Sequence, residues 1–430
     1  MTKTTIGVTL SLLAALGGCG EPQAASPRPA PVERAAPAPQ LPDLALGFDA
    51  ANAPEIAAAQ AQLKAEPDHP QSYVALATAF LRAARSEGGA NRAYARDVIE
   101  VGLARTTDAP RLRLLAAMLL LDDHRFEQVI AAANELAVDL PYDPTPRLLV
   151  GDASLELGRY EAAEKAYEAA IDLRPDLRSY NRIGYMRWLY GDFDGAVEAL
   201  EYALDAGSAR DPESMAWCFT DLGAMYLRRG EAVPAKKAAA RALELVPDYA
   251  PALVLAGRAA AEVGDLAGGR ELLARAAERS ASAETILRIV ELDRAMEDTA
   301  QARSGLHDAL AMAEHDPRPV AHFLARRGEQ PMYALQLAEQ ELEARQNIWS
   351  WDTLALASVR AGDTKRARDA IDKARSLGTQ DAELTLHAAL VEMSEGDTNS
   401  ARAHLEEAVA ARPNVDPVLV AEIRGQLGAS

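Results

Sequence analysis

Aromatic side chains are scarce in this sequence. Phe, Trp and Tyr make up 5% of its 430 residues, and only four are Trp. Cysteine is scarcer still, with two residues, which argues against a disulfide scaffold. Basic residues are in the minority, 45 Lys and Arg against 64 Asp and Glu, for a net charge of -19. So acidic a chain is a poor general binder of nucleic acid, because phosphates need Lys and Arg beside them. What remains is aliphatic. Hydrophobic residues reach 49% and charged ones 25%, so Ala, Leu and Val dominate and a disordered chain is excluded. High alanine with few aromatics points to close-packed helices.

The N-terminus reads as an address. Met1 to Thr5 carries one positive charge, Lys3, and Ile6 to Leu16 is an apolar run of eleven residues. That is short of the roughly 20 residues a spanning helix needs but suits a secretory signal. The run ends in Leu16-Gly17-Gly18-Cys19, which resembles the bacterial lipobox. The resemblance implies a signal peptide over residues 1–18 and lipidation of Cys19. It also implies a cell-envelope protein facing the periplasm, with the outer membrane favoured because Gly20 rather than Asp follows. Residues 19–48 form a Pro/Ala-rich linker, with Pro22, Pro27, Pro29, Pro31, Pro37, Pro39 and Pro42. Proline lacks an N–H donor and fixes φ, so this stretch is expected to be an extended spacer. The first helix is expected over Ala51 to Ala65.

Residues 49–430 read as a repeat. Small residues recur at Ala95, Val129, Ala163, Ala196, Ala235, Gly269, Ala302, Ala334, Ala367 and Ala401, spaced by 32 to 39 residues. A second ladder of Gly158, Gly191, Gly230, Gly264, Gly362 and Gly396 lies five residues earlier. Glycine there ends one helix where positive φ is cheap, and Tyr160 or Phe193 starts the next. Pro141, Pro175, Pro247 and Pro413 stop the second helix of their units. Two irregularities stand out: extra residues near Arg85 to Asn91, read as a longer turn, and a loop at Ala206 to Glu213. The helix-ending glycines are missing from about Glu284 to Gln346, and Pro417 to Leu427 reads as a capping helix.

On these residues the chain resembles the tetratricopeptide repeat family, from about Pro70 to Asn414. The fold class is then all-α: a right-handed α-solenoid of about ten helix-turn-helix repeats with a C-terminal cap. In that family the first helix of each pair lines a concave surface. The resemblance puts Arg178, Asn181, Tyr185, Trp188, Trp217, Arg228, Arg258, Trp349, Asp352 and Arg360 in the groove. Trp and Arg are the types that dominate binding energy at interfaces. The Lys/Asn pattern that clamps a C-terminal carboxylate in chaperone-binding members is not matched, since Asn181 stands alone. Asn347-Ile348-Trp349-Ser350-Trp351-Asp352-Thr353-Leu354-Ala355 resembles a motif of one bacterial subgroup, (Asp/Asn)-x-(Tyr/Trp)-(Thr/Ser)-x-Asp-x-Leu-Ala, with no biochemical role attached.

Chemistry-bearing motifs are few. The seven histidines form no His-Glu-x-x-His, and the nearest grouping along the chain is His315, Asp316 and His322, which reads as surface rather than as a metal site. There is no Gly-x-Ser-x-Gly elbow and no Walker-type loop. Cys218, within a helical stretch, reads as a buried small hydrophobe. The expectation is a non-enzymatic scaffold without cofactor or metal. It would be membrane-anchored through Cys19 and bind a protein or peptide in its groove, as part of an envelope assembly, secretion or cell-wall complex. Self-association into a structural envelope protein and an enzyme using surface carboxylates are the rival readings.

Overall fold

A computed structural model describes residues 53–87 and 90–429; the side chains of 85–87, 90 and 429 are left aside. The expected signal peptide, Cys19 and the whole of the Pro/Ala-rich linker lie outside the described residues.

Among the described residues, twenty-two helices follow one another. Helix α1 (Pro54–Ala65) precedes ten pairs: α2 and α3 (Pro70–Glu87, Ala90–Arg105), α4 and α5 (Pro110–Asp122, Phe126–Asp139), α6 and α7 (Thr145–Glu156, Tyr160–Leu173), α8 and α9 (Leu177–Leu189, Phe193–Asp205), and α10 and α11 (Pro212–Arg228, Ala232–Leu245). Next come α12 and α13 (Ala250–Glu262, Leu266–Arg279), α14 and α15 (Ala283–Ala295, Thr299–Ala311), α16 and α17 (Pro317–Arg327, Pro331–Ala344), α18 and α19 (Ile348–Ala361, Thr364–Ala374), and α20 and α21 (Ala382–Glu395, Thr398–Ala411). Helix α22 (Pro417–Ala429) caps the last pair. No strand occurs among the described residues, and none of their helices is long and apolar enough to cross a membrane.

The turn inside each pair has a repeated chemistry. All six glycines of the second ladder have positive φ, from 69° at Gly158 to 89° at Gly264. In four of those turns an aspartate follows at once and caps the next helix. Asp192, Asp265, Asp363 and Asp397 each accept from a backbone N–H three residues on. One helix is thus closed and the next opened within two residues, and each cap stabilises its helix by about 1 kcal/mol. Between Glu284 and Gln346 the same geometry persists: Gly328 has φ 66° and Glu297 has φ 63°. The expectation that helix-ending glycines are missing there is corrected, because Gly328 does the job one residue out of register. His124 adopts φ 58° at the corresponding turn of α4 and α5.

The ten ladder positions are the tightest points of the stack. Ala95, Ala163, Ala196, Ala235, Ala334, Ala367 and Ala401 are all 0% exposed. A Cβ on Gly257 would meet the Gly269 carbonyl oxygen at 2.8 Å, so this pair packs backbone on backbone. The extra residues near Arg85 lengthen helices instead of making a long turn. Helix α2 continues to Glu87 and α3 starts at Ala90, with only Gly88-Gly89 outside the described residues. The second irregularity is a loop, residues 206–211, and Pro212 and Glu213 already belong to the first turn of α10.

Candidate functional site

Helices α6 to α12 do not leave their inner ends free. The turns of units in the first half meet the inter-unit loops of the second. The Gln346 N–H donates to the Glu156 carbonyl at 2.8 Å and the Ile348 N–H to the Tyr160 hydroxyl at 2.8 Å. Further along, the Thr379 hydroxyl donates to the Leu189 carbonyl at 2.5 Å, and Arg412 Nη2 bonds Glu262 Oε2 at 2.6 Å. A Cβ on Gly191 would stand 2.7 Å from the Gly378 carbonyl oxygen, so this turn glycine also permits the close passage of a second segment. These contacts join residues 150 to 191 apart in sequence.

At the centre of this seam sits a tryptophan pair. Trp188 of α8 and Trp349 of α18 stack with centroids 5.5 Å apart and planes 15° from parallel. The Arg228 guanidinium lies 4.4 Å from the Trp349 ring and 5.3 Å from the Trp188 ring. Its Nη1 donates to Asp381 Oδ2 at 2.8 Å. Trp349 Nε1 donates to the Tyr185 hydroxyl at 3.1 Å. Asn347 caps α18 through its carbonyl oxygen, while its Nδ2 donates to Glu156 Oε2 at 2.7 Å. The subgroup motif therefore supplies much of the cross-seam contact. Trp351 stays local, donating to the Gln346 carbonyl with Lys373 Nζ 3.7 Å from its ring.

Beside the seam lies a cavity of about 330 Å³. Of the residues expected in the groove, Tyr185, Arg228, Trp349 and Asp352 line it. Its walls alternate in charge, with Arg288, Arg318, Arg326 and Arg345 against Glu284, Glu291, Asp381 and Glu383. Most of these are paired: Arg326 with Glu291 and Asp416, and Arg345 with Glu156 and Glu341. The half-buried Arg258 lies nearby. Burial, with Arg288 and Arg228 close, lowers its guanidinium to about 9, so it stays charged at neutral pH.

One wall of the cavity holds a cluster that the chain order hides. His322 of α16, Asp352 of α18 and His387 of α20 come from the first helices of three consecutive units. His387 Nδ1 lies 2.8 Å and 3.0 Å from the two Asp352 oxygens, and His322 Nε2 lies 3.7 Å from Oδ2. The imidazole rings meet edge to face at 5.5 Å. Burial would raise the Asp352 carboxyl, but His387 and His322 outweigh it and hold the group well below the usual range. Burial pushes His387 down, and Asp352 more than restores it, so its pKa is raised. His315, Asp316 and His322, read from the sequence as surface residues, part company in the fold, and His322 is half-buried. Asp316 instead faces Arg345, and His322 joins Asp352 and His387. The available signal was the shared phase of three polar residues on first helices, 30 and 35 residues apart.

A second pair of cavities, about 420 and 520 Å³, opens along the N-terminal units. Arg178 and Trp217 line the former, and Asn181, Tyr185 and Trp217 the latter. Here Arg182 holds Asp152 through two 2.6 Å hydrogen bonds, and its guanidinium carbon lies 5.4 Å from the Trp217 ring. Asn181 Nδ2 donates to Asp221 at 2.9 Å. Burial raises the Asp221 carboxyl to about 6, with Asn181 and Arg182 offsetting part of the effect. The other expected groove residues are engaged internally. Trp188 is 3% exposed, and Arg360 binds the Ala325 carbonyl at 2.8 Å and Glu422 of the capping helix. Cys218 is fully buried and its thiol is pushed up to about 12 by that burial.

The unit over α6 and α7 carries a sequence match to a known repeat. Residues 147–177 match the family model described as Tetratricopeptide repeat. The fold is that of a tetratricopeptide-repeat solenoid. Its fold is similar to a solved human IFIT1 dimer with m7Gppp-AAAA, at 13% identity and a TM-score of 0.50, covering 83% of this chain and 85% of that one. Pseudomonas aeruginosa PilF aligns over 50% of this chain and 96% of its own, at 16% identity and a TM-score of 0.39. PilW, described as a widely conserved type IV pilus biogenesis factor, covers 49% of this chain and 95% of its own, at 15% identity and a TM-score of 0.38. No curated protein matches the sequence.

Proposed function

We propose that this tetratricopeptide-repeat chain is a lipid-anchored envelope scaffold that holds a segment of another protein along its N-terminal units. One observation carries the reading. The cavity of about 420 Å³ is lined by five consecutive first helices, α2, α4, α6, α8 and α10, which contribute Leu81, Met118, Leu148, Arg178 and Trp217. Such a surface offers aliphatic area, an aromatic anchor and a guanidinium together, the composition of a protein-binding groove. Lipidation at Cys19, a Pro/Ala-rich spacer and a periplasm-facing position in the outer membrane complete the proposal, and they rest on the lipobox resemblance and proline spacing.

The test is site-specific photo-crosslinking in cells from Thr145 and Ser214, which face this channel, and from the exposed Lys165 and Lys236 of second helices. Crosslinks to one protein from the first two positions only, lost on Trp217→Ala with Arg178→Ala, are the expected outcome. Equal crosslinking from Lys165 and Lys236 would overturn the groove assignment. Cys19→Ser should move the chain from the membrane to the soluble fraction; retention on the membrane would refute the anchor.

A further inference from the structure

We infer that His322, Asp352 and His387 bind one divalent first-row transition-metal ion, with an open coordination position facing the central cavity. Each residue offers a ligand atom, and the three atoms lie within 4.8 Å of one another. Tetrahedral coordination at about 2.0–2.2 Å places ligand atoms roughly 3.3–3.5 Å apart. The observed separations of 3.0 Å from His387 Nδ1 and 3.7 Å from His322 Nε2 to Asp352 Oδ2 bracket that value. Small side-chain adjustments therefore suffice.

The donor set selects the metal. Two imidazoles and one carboxylate suit Zn²⁺, Co²⁺, Ni²⁺ or Fe²⁺, whereas Ca²⁺ and Mg²⁺ require mainly oxygen. Three protein ligands leave at least one position for water or a ligand group. The cavity supplies the room and the approach, since His322 and Asp352 both line it. Burial supplies the rigidity: Asp352 is 4% exposed and His387 0%. His387 Nδ1 already faces both Asp352 oxygens while its Nε2 has no hydrogen-bond partner, so Nδ1 is the nitrogen presented to the ion. The nearest competing cation, Arg326, is already held by Glu291 and Asp416. Binding at Nδ1 displaces the proton shared with Asp352 to solvent, with no change of oxidation state. An ion here would join three consecutive units through their first helices.

The experiment uses the full chain, stripped with chelator, dialysed against Zn²⁺ or Mg²⁺ and assayed for bound metal. One zinc and no retained magnesium per chain are expected, and Co²⁺ should give the visible absorption of four- or five-coordinate cobalt. His322→Ala should lower zinc affinity at least tenfold, and Asp352→Asn and His387→Gln should abolish it. Variants at the exposed His307 and His315, and Cys218→Ser, should bind as the parent does. If the buried Asp352 or His387 variants fail to fold by circular dichroism, His322→Ala decides, because His322 sits half-buried on the cavity wall. A parent chain that retains no zinc, or a folded His322→Ala chain with unchanged affinity, overturns the proposal.

Discussion

Replacing Trp349 by alanine should loosen a helix that lies 164 residues away in sequence. The side chain stacks on Trp188, carries the Arg228 guanidinium at 4.4 Å and donates to Tyr185 at 3.1 Å. A fully buried Trp→Ala substitution costs about 3–5 kcal/mol. Trp349 is only partly buried, which puts the area component near the low end, at about 3 kcal/mol. Losing a partner for the Tyr185 hydroxyl adds about 1 kcal/mol. Trp351 is the internal control, a partly exposed indole two residues on whose hydrogen bond to Gln346 and ring contact with Lys373 both stay within the second half. Its alanine variant should cost about 1–2 kcal/mol. Urea unfolding separates the two, and hydrogen exchange locates the effect. In the Trp349 variant, protection should fall in α8 as well as α18; in the Trp351 variant it should fall in α18 and α19 alone. Equal losses of stability, or an unchanged α8 in the Trp349 variant, would refute the seam as a source of stability.

Two other perturbations test the same account. Asp221 has a folded pKa near 6 against about 3.9 in an unfolded chain. The folded state therefore binds more protons between those values, and its stability falls as pH rises from about 4 to 6. By pH 7 the ionised group costs on the order of 2 kcal/mol after allowance for its partial exposure. Asp221→Asn keeps an acceptor for Asn181 and should raise urea stability at pH 7 while changing it little at pH 3.5; a loss at pH 7 contradicts the sign. Arg412 holds Glu262 at 2.6 Å and Glu383 at 3.0 Å and is 11% exposed at its side chain. Arg412→Ala strands two largely buried carboxylates and should cost about 3–5 kcal/mol in chemical denaturation. A change below 1 kcal/mol would show that solvent already compensates those groups.

The periodic part of this molecule is legible because it is local. A positive-φ glycine and the small residue five places later act within one helix pair, so Gly158 with Ala163 and Gly396 with Ala401 announce their units directly. Gly328 escaped the pattern by one residue, and Glu297 and His124 make the same turn without glycine. The aspartates that follow the turn glycines are equally local, each accepting from a backbone N–H of the helix it opens. Contacts across the seam are a different case. Arg412 with Glu262, or Trp349 with Trp188, join units five or so apart, and no repeat period specifies them.

That difference bears on where a ligand can sit. Reading inner-face residues as groove residues assumes that each first helix presents its side chains to an open channel. The assumption matches the placement of Arg178, Asn181 and Trp217, which line the N-terminal cavities. Arg228 and Trp349 line the cavity beside the seam but are also held across it by partners from the other half, as is Trp188, and Arg360 is held by Glu422 within the second half. An Arg held between two indoles and a carboxylate already has the contacts a peptide would bring, so a competing ligand must first break them. The inner surface thus divides into two regions. Over α2 to α10 lie the cavities of about 420 and 520 Å³, the first lined by residues outside the seam and the second reaching it at Glu156, Tyr185 and Arg345. At the seam lies the 330 Å³ space, on whose wall His322 and Asp352 stand. If one partner uses both, its main segment lies along the N-terminal units and a single coordinating side chain enters the cavity beside Asp352.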